Sequence, residues 1–278
     1  MTATTTTTPT TSAAAPASTQ IRARKAGFAA DLISVAGRAL RRLPREPEAI
    51  VPALIVPVFF YVVNVGALGS FAENAGAVGD FKAFQLPVAI IFAVTGVSQA
   101  GALVTDIQDG YFDRLLMTPI KRLALLLGLM VADLALVMGL SLPVLALGFA
   151  TGVRFKTGVL GVVVFVVLAG VWGLVFTGFP YAIALKTGSP GAVASSFLIF
   201  FPFAFLTTSF LPKDALSGWL SAVATVNPVT YLLQGLRSLI TEGWEWADLG
   251  WAVLSVAGVG VVSMALALAT LHGRVKRG

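Results

Sequence analysis

Residues Thr105 to Arg122 read TDIQDGYFDRLLMTPIKR, and six of their side chains are charged: Asp106, Asp109, Asp113, Arg114, Lys121 and Arg122. On both sides the chain runs apolar for about the 20 residues that cross the hydrocarbon of a bilayer. A charged island between two such runs has to lie in water or against another protein. It is therefore read as a loop at a membrane surface, and this reading sets the frame for the rest of the chain.

Composition agrees. Of 278 residues, 57% are hydrophobic and 12% charged, with a mean hydropathy of +0.89. A soluble domain carries roughly 25% charge, so the surplus apolar side chains are expected to face lipid. The net charge is +6, but the cations cluster at the ends of apolar runs, as topology anchors do, rather than forming a nucleic-acid surface. Cysteine is absent, which excludes disulfides, thiolate metal sites and cysteine nucleophiles. The one histidine, His272, is near the C-terminus, so a histidine-based triad or multi-histidine metal site has no second member.

The chain is expected to be an all-α integral membrane protein with six transmembrane helices. The apolar runs are Ala49 to Leu68, Leu86 to Val104, Leu123 to Ala150, Val159 to Leu185, Gly191 to Leu211 and Ala247 to Leu271. With the N-terminus inside, the inner face holds Arg22, Arg24, Lys25, Arg38, Arg41, Arg42, Arg45, Arg114, Lys121, Arg122, Lys186, Arg274, Lys276 and Arg277. The outer face holds only Lys82, Arg154, Lys156, Lys213 and Arg237. That asymmetry places both termini in the cytoplasm.

Residues 1–26 are expected to form a disordered cytoplasmic tail. Met1 to Gln20 is Thr, Ala, Pro and Ser with almost nothing large and apolar to bury, and it lacks the apolar region of a secretory signal. Residues 27–278 form the membrane domain. Within it, Gly27 to Leu43 has apolar residues on one helical face and Arg38, Arg41 and Arg42 on the other. This is the pattern of an amphipathic helix in the membrane interface, or more plainly of a basic flank to the first span. Between spans five and six, Leu216 to Thr225 and Pro228 to Ile240 read as two short helices separated by Asn227 and Pro228. They are expected to form a re-entrant hairpin in the outer leaflet; the alternative is a pair of helices lying flat on the surface.

These features together resemble the type-2 membrane family of ABC exporter permeases, and within it the daunorubicin-resistance-like permeases. The resemblance rests on DGYFDRLLMTPIKR, on NPVTYLLQGLRSLITEG before the last span, and on TGVRFKTGVLGVVVF. It covers roughly Phe28 to Val275 and leaves the Thr-rich tail outside. It implies a half-transporter of the bacterial plasma membrane. Two permease chains, as a homodimer, would form the path, and two copies of a separate ABC ATPase subunit would dock on the entry helix and the first inner loop. It implies no catalytic residues and no cofactor on this chain, with ATP and magnesium on the partner. The expected cargo is a hydrophobic or amphipathic drug or natural product; a lipid-linked glycan, polysaccharide or lipid is the rival.

The residues themselves are compatible with that division. No GxxxxGK[ST] phosphate loop occurs, so any nucleotide site would lie on a partner. Gln108 to Met117 is expected as one short helix, with Asp109, Tyr111, Phe112, Asp113, Arg114 and Leu115 as the ATPase-coupling residues. Asp109 and Asp113, at i and i+4, would share a face. The alternative is a solvated loop whose Lys121 and Arg122 only set topology. Asp133 stands about ten residues beyond Arg122, roughly 15 Å at helical rise and near the midplane. An acid there is a functional-site hypothesis: it would line the path, pair with Arg237, or serve helix packing as a buried acid. Asp133, Asn227 and Arg237 are the candidate residues of a translocation path or gate. A secondary transporter would show inverted repeats, and none is apparent. An intramembrane enzyme would need HExxH or paired aspartates, which are missing.

Overall fold

A computed structural model describes residues 27–42, 47–76, 78–95, 97–117 and 122–275. The N-terminal tail and the segment 118–121 of the charged island lie outside them. The described residues are helical throughout, with no strand.

The entry helix α1 spans Phe28–Arg42, and α2 spans Pro47–Asn74. The second apolar run divides into α3 (Phe81–Thr95) and α4 (Ala100–Gln108), and α5 is the short helix Tyr111–Leu116. Next comes the long α6 (Arg122–Ala150), then α7 (Gly158–Phe176) and α8 (Gly178–Thr187), which run on from one another through Thr177. The short α9 (Pro190–Ser195) and α10 (Phe200–Phe205) are joined by a 3₁₀ turn, Ser196–Ile199. The chain ends with α11 (Gly218–Val226), α12 (Pro228–Thr241) and α13 (Trp246–Val275).

Five segments are long and apolar enough to cross a membrane: Ile50–Asn74, Phe81–Gln108, Leu123–Ala150, Gly158–Thr187 and Trp246–Gly273. The sixth run expected from sequence, Gly191 to Leu211, is a broken segment whose helix covers only Pro190–Phe205, short of the ~20 residues of a full crossing. The local cause is visible. The Ser195 hydroxyl donates to the Gly191 carbonyl and that of Ser196 to Val193, within a turn that tightens to 3₁₀. Past Phe205, Asn227 takes up the carbonyls of Phe203 and Leu206, where the helix stops.

The second run begins earlier than its apolar residues suggest. Asp80 accepts from the backbone N–H groups of Lys82 and Ala83 (2.9 and 3.2 Å), and Glu73 accepts from that of Phe81 (3.0 Å). The two carboxylates thus satisfy donors that a helix start leaves open. From there α3 is buried along almost its whole length. It packs against α2, α6, α7 and α12 and is the central post of the bundle. The α2 helix, by contrast, is largely uncovered, with Ile55, Phe59 and Phe71 exposed. Apolar residues facing outward are normal where lipid is the solvent.

Two apolar clusters share the interior. One joins α3, α7 and α12 around Ile90, Phe165, Trp172 and Leu232. The other joins α1, α4, α6 and α8 around Val35, Leu103, Leu129 and Leu185. Helix approach is close enough to demand glycine: a Cβ at Gly173 would lie 2.7 Å from the Val94 carbonyl oxygen, and one at Gly128 would lie 2.7 Å from Val35 Cβ. Small residues at such crossings let backbones meet in lipid.

Gly173→Ala is expected to destabilise the detergent-solubilised protein by about 1–3 kcal/mol, the usual range for overpacking. Gly139→Ala, where a Cβ meets nothing within 4 Å, is expected to be neutral or mildly stabilising. Thermal unfolding of both variants checks the contrast.

Candidate functional site

Two regions hold the residues singled out by sequence: the inner end around α4 and α5, and a polar layer between the two apolar clusters.

At the inner end, the helix expected over Gln108 to Met117 is not continuous. The α4 helix runs through the first residues of the charged island and stops at Gln108, and α5 begins at Tyr111. The turn between them places Gly110 at φ +68°, a backbone state only glycine adopts freely. Asp109 therefore caps α4 and does not share a helical face with Asp113. The side chain of Asp113 lies outside the described residues. Tyr111 and Arg114 are exposed, Leu115 is partly buried, and Phe112 is only 4% exposed. Phe112 belongs to the inner apolar cluster. It anchors α5 and does not join Tyr111 on an outward contact face, because a six-residue helix needs one large side chain in the core to stay docked.

Three polar contacts lock this region to its neighbours. Arg38 Nη2 of α1 pairs with Asp106 Oδ2 of α4 at 3.0 Å. The same guanidinium sits 4.8 Å from the centroid of the Tyr111 ring, within cation–π range. Gln108 Nε2 donates to the Gly188 carbonyl at 3.0 Å, reaching the inner turn between α8 and α9. The α1 helix, the segment through α4 and α5, and the turn between α8 and α9 thus form one connected surface. Sequence reasoning placed Arg38 among headgroups and missed its second role. Asp106, the first acid of the island and one turn from the apolar run, is the signal for a basic partner on a neighbouring helix.

The polar layer centres on Asp133, whose side chain is fully buried. Its Oδ1 accepts from the backbone N–H of Gln99 at 2.7 Å, and its Oδ2 accepts from the Tyr181 hydroxyl at 2.6 Å. Gln99 is the N-cap residue of α4 and lacks a side-chain cap of its own. Asp133 therefore supplies, from α6, an acceptor for the re-starting second run. One turn away, Trp172 Nε1 donates to Thr95 Oγ1 (3.0 Å), and that hydroxyl donates to the Ile91 carbonyl (2.6 Å). The Ser263 hydroxyl of α13 donates to the Val175 carbonyl at the same level of the fourth run. Tyr181 was not singled out from sequence. A buried phenol needs a partner, and it is the only tyrosine in the fourth run, opposite the only acid in the third.

Arg237 is elsewhere. Its guanidinium lies 3.4 Å from the centroid of the Phe84 ring. It donates to the Phe84 carbonyl (3.1 Å), to Thr208 Oγ1 (3.1 Å) and to the Thr208 carbonyl (2.8 Å). The expected pairing of Asp133 with Arg237 is not formed: each has its own partners, in separate parts of the bundle. Asn227 caps α12, its Oδ1 accepting from Val229 N at 3.0 Å while its Nδ2 ties down Phe203 and Leu206. Leu232, Leu233 and Leu236 of the same helix are fully buried. Among the described residues, no three His, Asp or Glu side chains gather as a metal site would require.

Residues 31–241 match the profile of the ABC-2 type transporter family. The chain belongs to that family. As an ABC-2 permease, it is 26% identical over 227 residues to the daunorubicin resistance ABC transporter permease protein DrrB1 of Streptomyces coeruleorubidus, covering 80% of this chain and 79% of that one. It is 23% identical over 236 residues to the probable doxorubicin resistance ABC transporter permease protein DrrC of Mycobacterium tuberculosis, covering 84% and 86%. A putative transport permease, ycf38 of Pyropia yezoensis, matches at 23% over 238 residues. The ABC-2 permease is a multi-pass membrane protein and a transport subunit. The match takes in α4, α5, Asp133, Tyr181, α11 and α12.

Asp133→Leu strands two buried donors and is expected to destabilise the permease by about 2–6 kcal/mol, at ~1–3 kcal/mol per orphaned group. Tyr181→Phe is expected to lose about 1 kcal/mol. In the double variant the two effects are expected to fall short of their sum, because they share one interaction. Unfolding midpoints in detergent measure all three.

Proposed function

We propose that this permease is the membrane half of an ATP-driven exporter of hydrophobic or amphipathic drugs or natural products. ATP and magnesium would be held by a separate ABC ATPase, two copies of which dock beneath a permease homodimer. The observation that carries the reading is the connected inner surface. Arg38, Asp106, Tyr111 and Gln108 join the entry helix, the first inner loop and the inner turn at Gly188. A push on α5 passes into α4, and α4 begins at the carboxylate of Asp133 in the middle of the bundle.

In this reading Tyr111, Arg114 and Leu115 meet the ATPase, together with Asp109 and Asp113, and Phe112 transmits the load inward. Pro190–Phe205 and the residues after it complete a sixth crossing, which keeps both termini in the cytoplasm of a bacterial cell. The α1 helix lies in the inner membrane interface. The burial of α12 among α3, α7 and α13 supports a re-entrant hairpin over a helix resting on the surface. The exposed apolar flank of α2 suits a second permease copy or lipid. Asn227 and Arg237 hold the hairpin closed against α10 and α3, as gate supports rather than cargo ligands. The drug-resistance names of the two bacterial relatives support the cargo class.

Co-expression of the permease with an ATPase subunit tests the docking. Arg114→Glu combined with Tyr111→Ala is expected to release the ATPase from co-purification, or to cut substrate-stimulated hydrolysis about tenfold or more, as interface anchors do. Full co-purification and undiminished hydrolysis would overturn the coupling role of α5.

A further inference from the structure

Where α3 begins and α12 ends, the bundle holds a cavity of about 680 Å³. Four cations line it from three elements: Arg237 of α12, Arg154 and Lys156 of the turn before α7, and Lys213 of the 3₁₀ turn after α10. Hydrogen bonds seat the turn before α7 against α12. The backbone N–H of Lys156 donates to the Ile240 carbonyl (3.0 Å), and the Thr157 hydroxyl to that of Leu239 (2.7 Å). Two carbonyls at the end of α12 are thereby taken up, which leaves that helix end less opposed to an anion.

Three carboxylates share the lining: Asp80, Asp214 and Glu242. Asp80 is engaged at the start of α3 by the N–H groups of Lys82 and Ala83. Outside the lining, Glu73 accepts from Phe81 and Asp248 from Gln234. Ala77, which lies outside the described residues in the adjoining loop, carries no charge. Among the described residues none of the four cations is ion-paired, and the lining keeps one positive charge in excess.

Arg237 is the anchor of the group. The other three cations are exposed, whereas Arg237 is partly buried with its guanidinium against the Phe84 ring. Of the five N–H groups of a guanidinium, three reach the Phe84 carbonyl and Thr208, all neutral acceptors. One N–H on each Nη is left. A guanidinium drawn out of water without a counter-ion is costly, and an anion with two accepting oxygens relieves it. Donors arriving from three elements suit a phosphate, whose oxygens fan out, over a carboxylate, whose two lie in one plane. The single excess charge suits a diester, with one negative charge, over a monoester, with nearly two.

We propose that this cavity is a binding site for a phosphate diester. Its two non-ester oxygens take the free N–H groups of Arg237, Arg154 and Lys156 meet it from the turn before α7, and Lys213 meets it from the opposite wall. The bound group ties α12 to both of those segments and adds to the hold that Arg237 already has on α3. Trp244 and Trp246 follow Glu242 in the chain, their rings 5.7 Å apart, and Trp246 is exposed. Such tryptophans sit at headgroup level in a membrane, where a phospholipid and a soluble diester both have access. The proposal goes beyond the exporter reading and needs neither an ATPase nor an assignment of which end faces the cytoplasm.

Native mass spectrometry of the purified full chain in detergent tests this, with phosphatidylglycerol and a diacylglycerol of the same acyl chains as probes. Phosphatidylglycerol is expected to bind about tenfold more tightly than the diacylglycerol. Arg154→Gln combined with Lys156→Gln is expected to weaken phosphatidylglycerol binding about tenfold, the share of two cations beside an anionic group. Both side chains are exposed, so the fold is expected to hold. Lys186→Gln, which removes an exposed cation at the other end of the same span, is expected to change nothing. Glu242→Gln takes away a repelling carboxylate and is expected to tighten binding about threefold. Arg237→Gln is expected to weaken binding most; should it not fold, the Arg154 and Lys156 double variant carries the test. Displacement of the lipid by millimolar glycerophosphoglycerol would support a site that takes the diester from water, and resistance to it a site that takes the diester from lipid. Equal binding of phosphatidylglycerol and diacylglycerol would overturn the proposal. So would unchanged affinity in the double variant, or an equal loss in Lys186→Gln.

Discussion

A helix interrupted at bilayer depth has nowhere to send its open backbone groups except to other parts of the protein. The second apolar run of this permease is interrupted between Thr95 and Ala100, and the Asp133 carboxylate meets the N–H of Gln99 there. Much of the bundle is arranged around that hydrogen bond. Tyr181 holds the other carboxylate oxygen, Trp172 holds Thr95 on the near side of the gap, and Ser263 takes the Val175 carbonyl at the same level. The apolar clusters lie on either side of this layer and not across it. The protein is thus two packed blocks joined by a polar seam, with the third run, α6, passing through both.

Such a seam is stiffer than the packing on either side of it. Apolar packing in lipid resists shear only through shape, whereas a hydrogen bond to a buried carboxylate is directional and strong enough to define a pivot. The Arg38–Asp106 pair is a weaker contact, half-exposed on the arginine side, as ion pairs open to water are. The buried contact at Asp133 and the half-exposed pair at Arg38 thus differ in strength and in access to water.

Much of this was legible in the sequence, and the misses have physical causes. Five of the six apolar runs emerge as candidate spans within a few residues of where hydropathy puts them, because length and apolarity are properties of composition. The run from Gly191 fails as a single helix because serine hydroxyls and the Asn227 side chain claim its carbonyls, and hydropathy does not register that competition. The break before Ala100 is hidden for the same reason: Val97, Ser98 and Gln99 are mild residues, and what takes up the open N–H at the restart is a carboxylate 34 residues later. Asp133 is conspicuous in the sequence as a lone acid of its span; of the three readings open to it, the buried acid tying helices together agrees with its burial and the pairing with Arg237 does not form. Charge suggested Arg237, whereas the acid is satisfied by a phenol and an amide, both invisible to charge counting. Phe112 was read by its neighbours on paper; the turn at Gly110 rotates it inward. Sequence alone marks Asp133, Asn227 and Arg237 as polar residues in apolar surroundings and leaves their partners to topology.

The contact between Arg237 and the Phe84 carbonyl joins residues 153 apart in the chain. At a synthesis rate of about 5–20 residues per second, roughly 8–30 seconds separate the appearance of the two. During that interval α3, the most enclosed helix of the finished protein, stands in the bilayer or the insertion machinery without α12 against it. Its early neighbours α2 and α6 cover part of it; the rest waits for the hairpin, so the centre of this permease is among the first parts made and the last to be sealed.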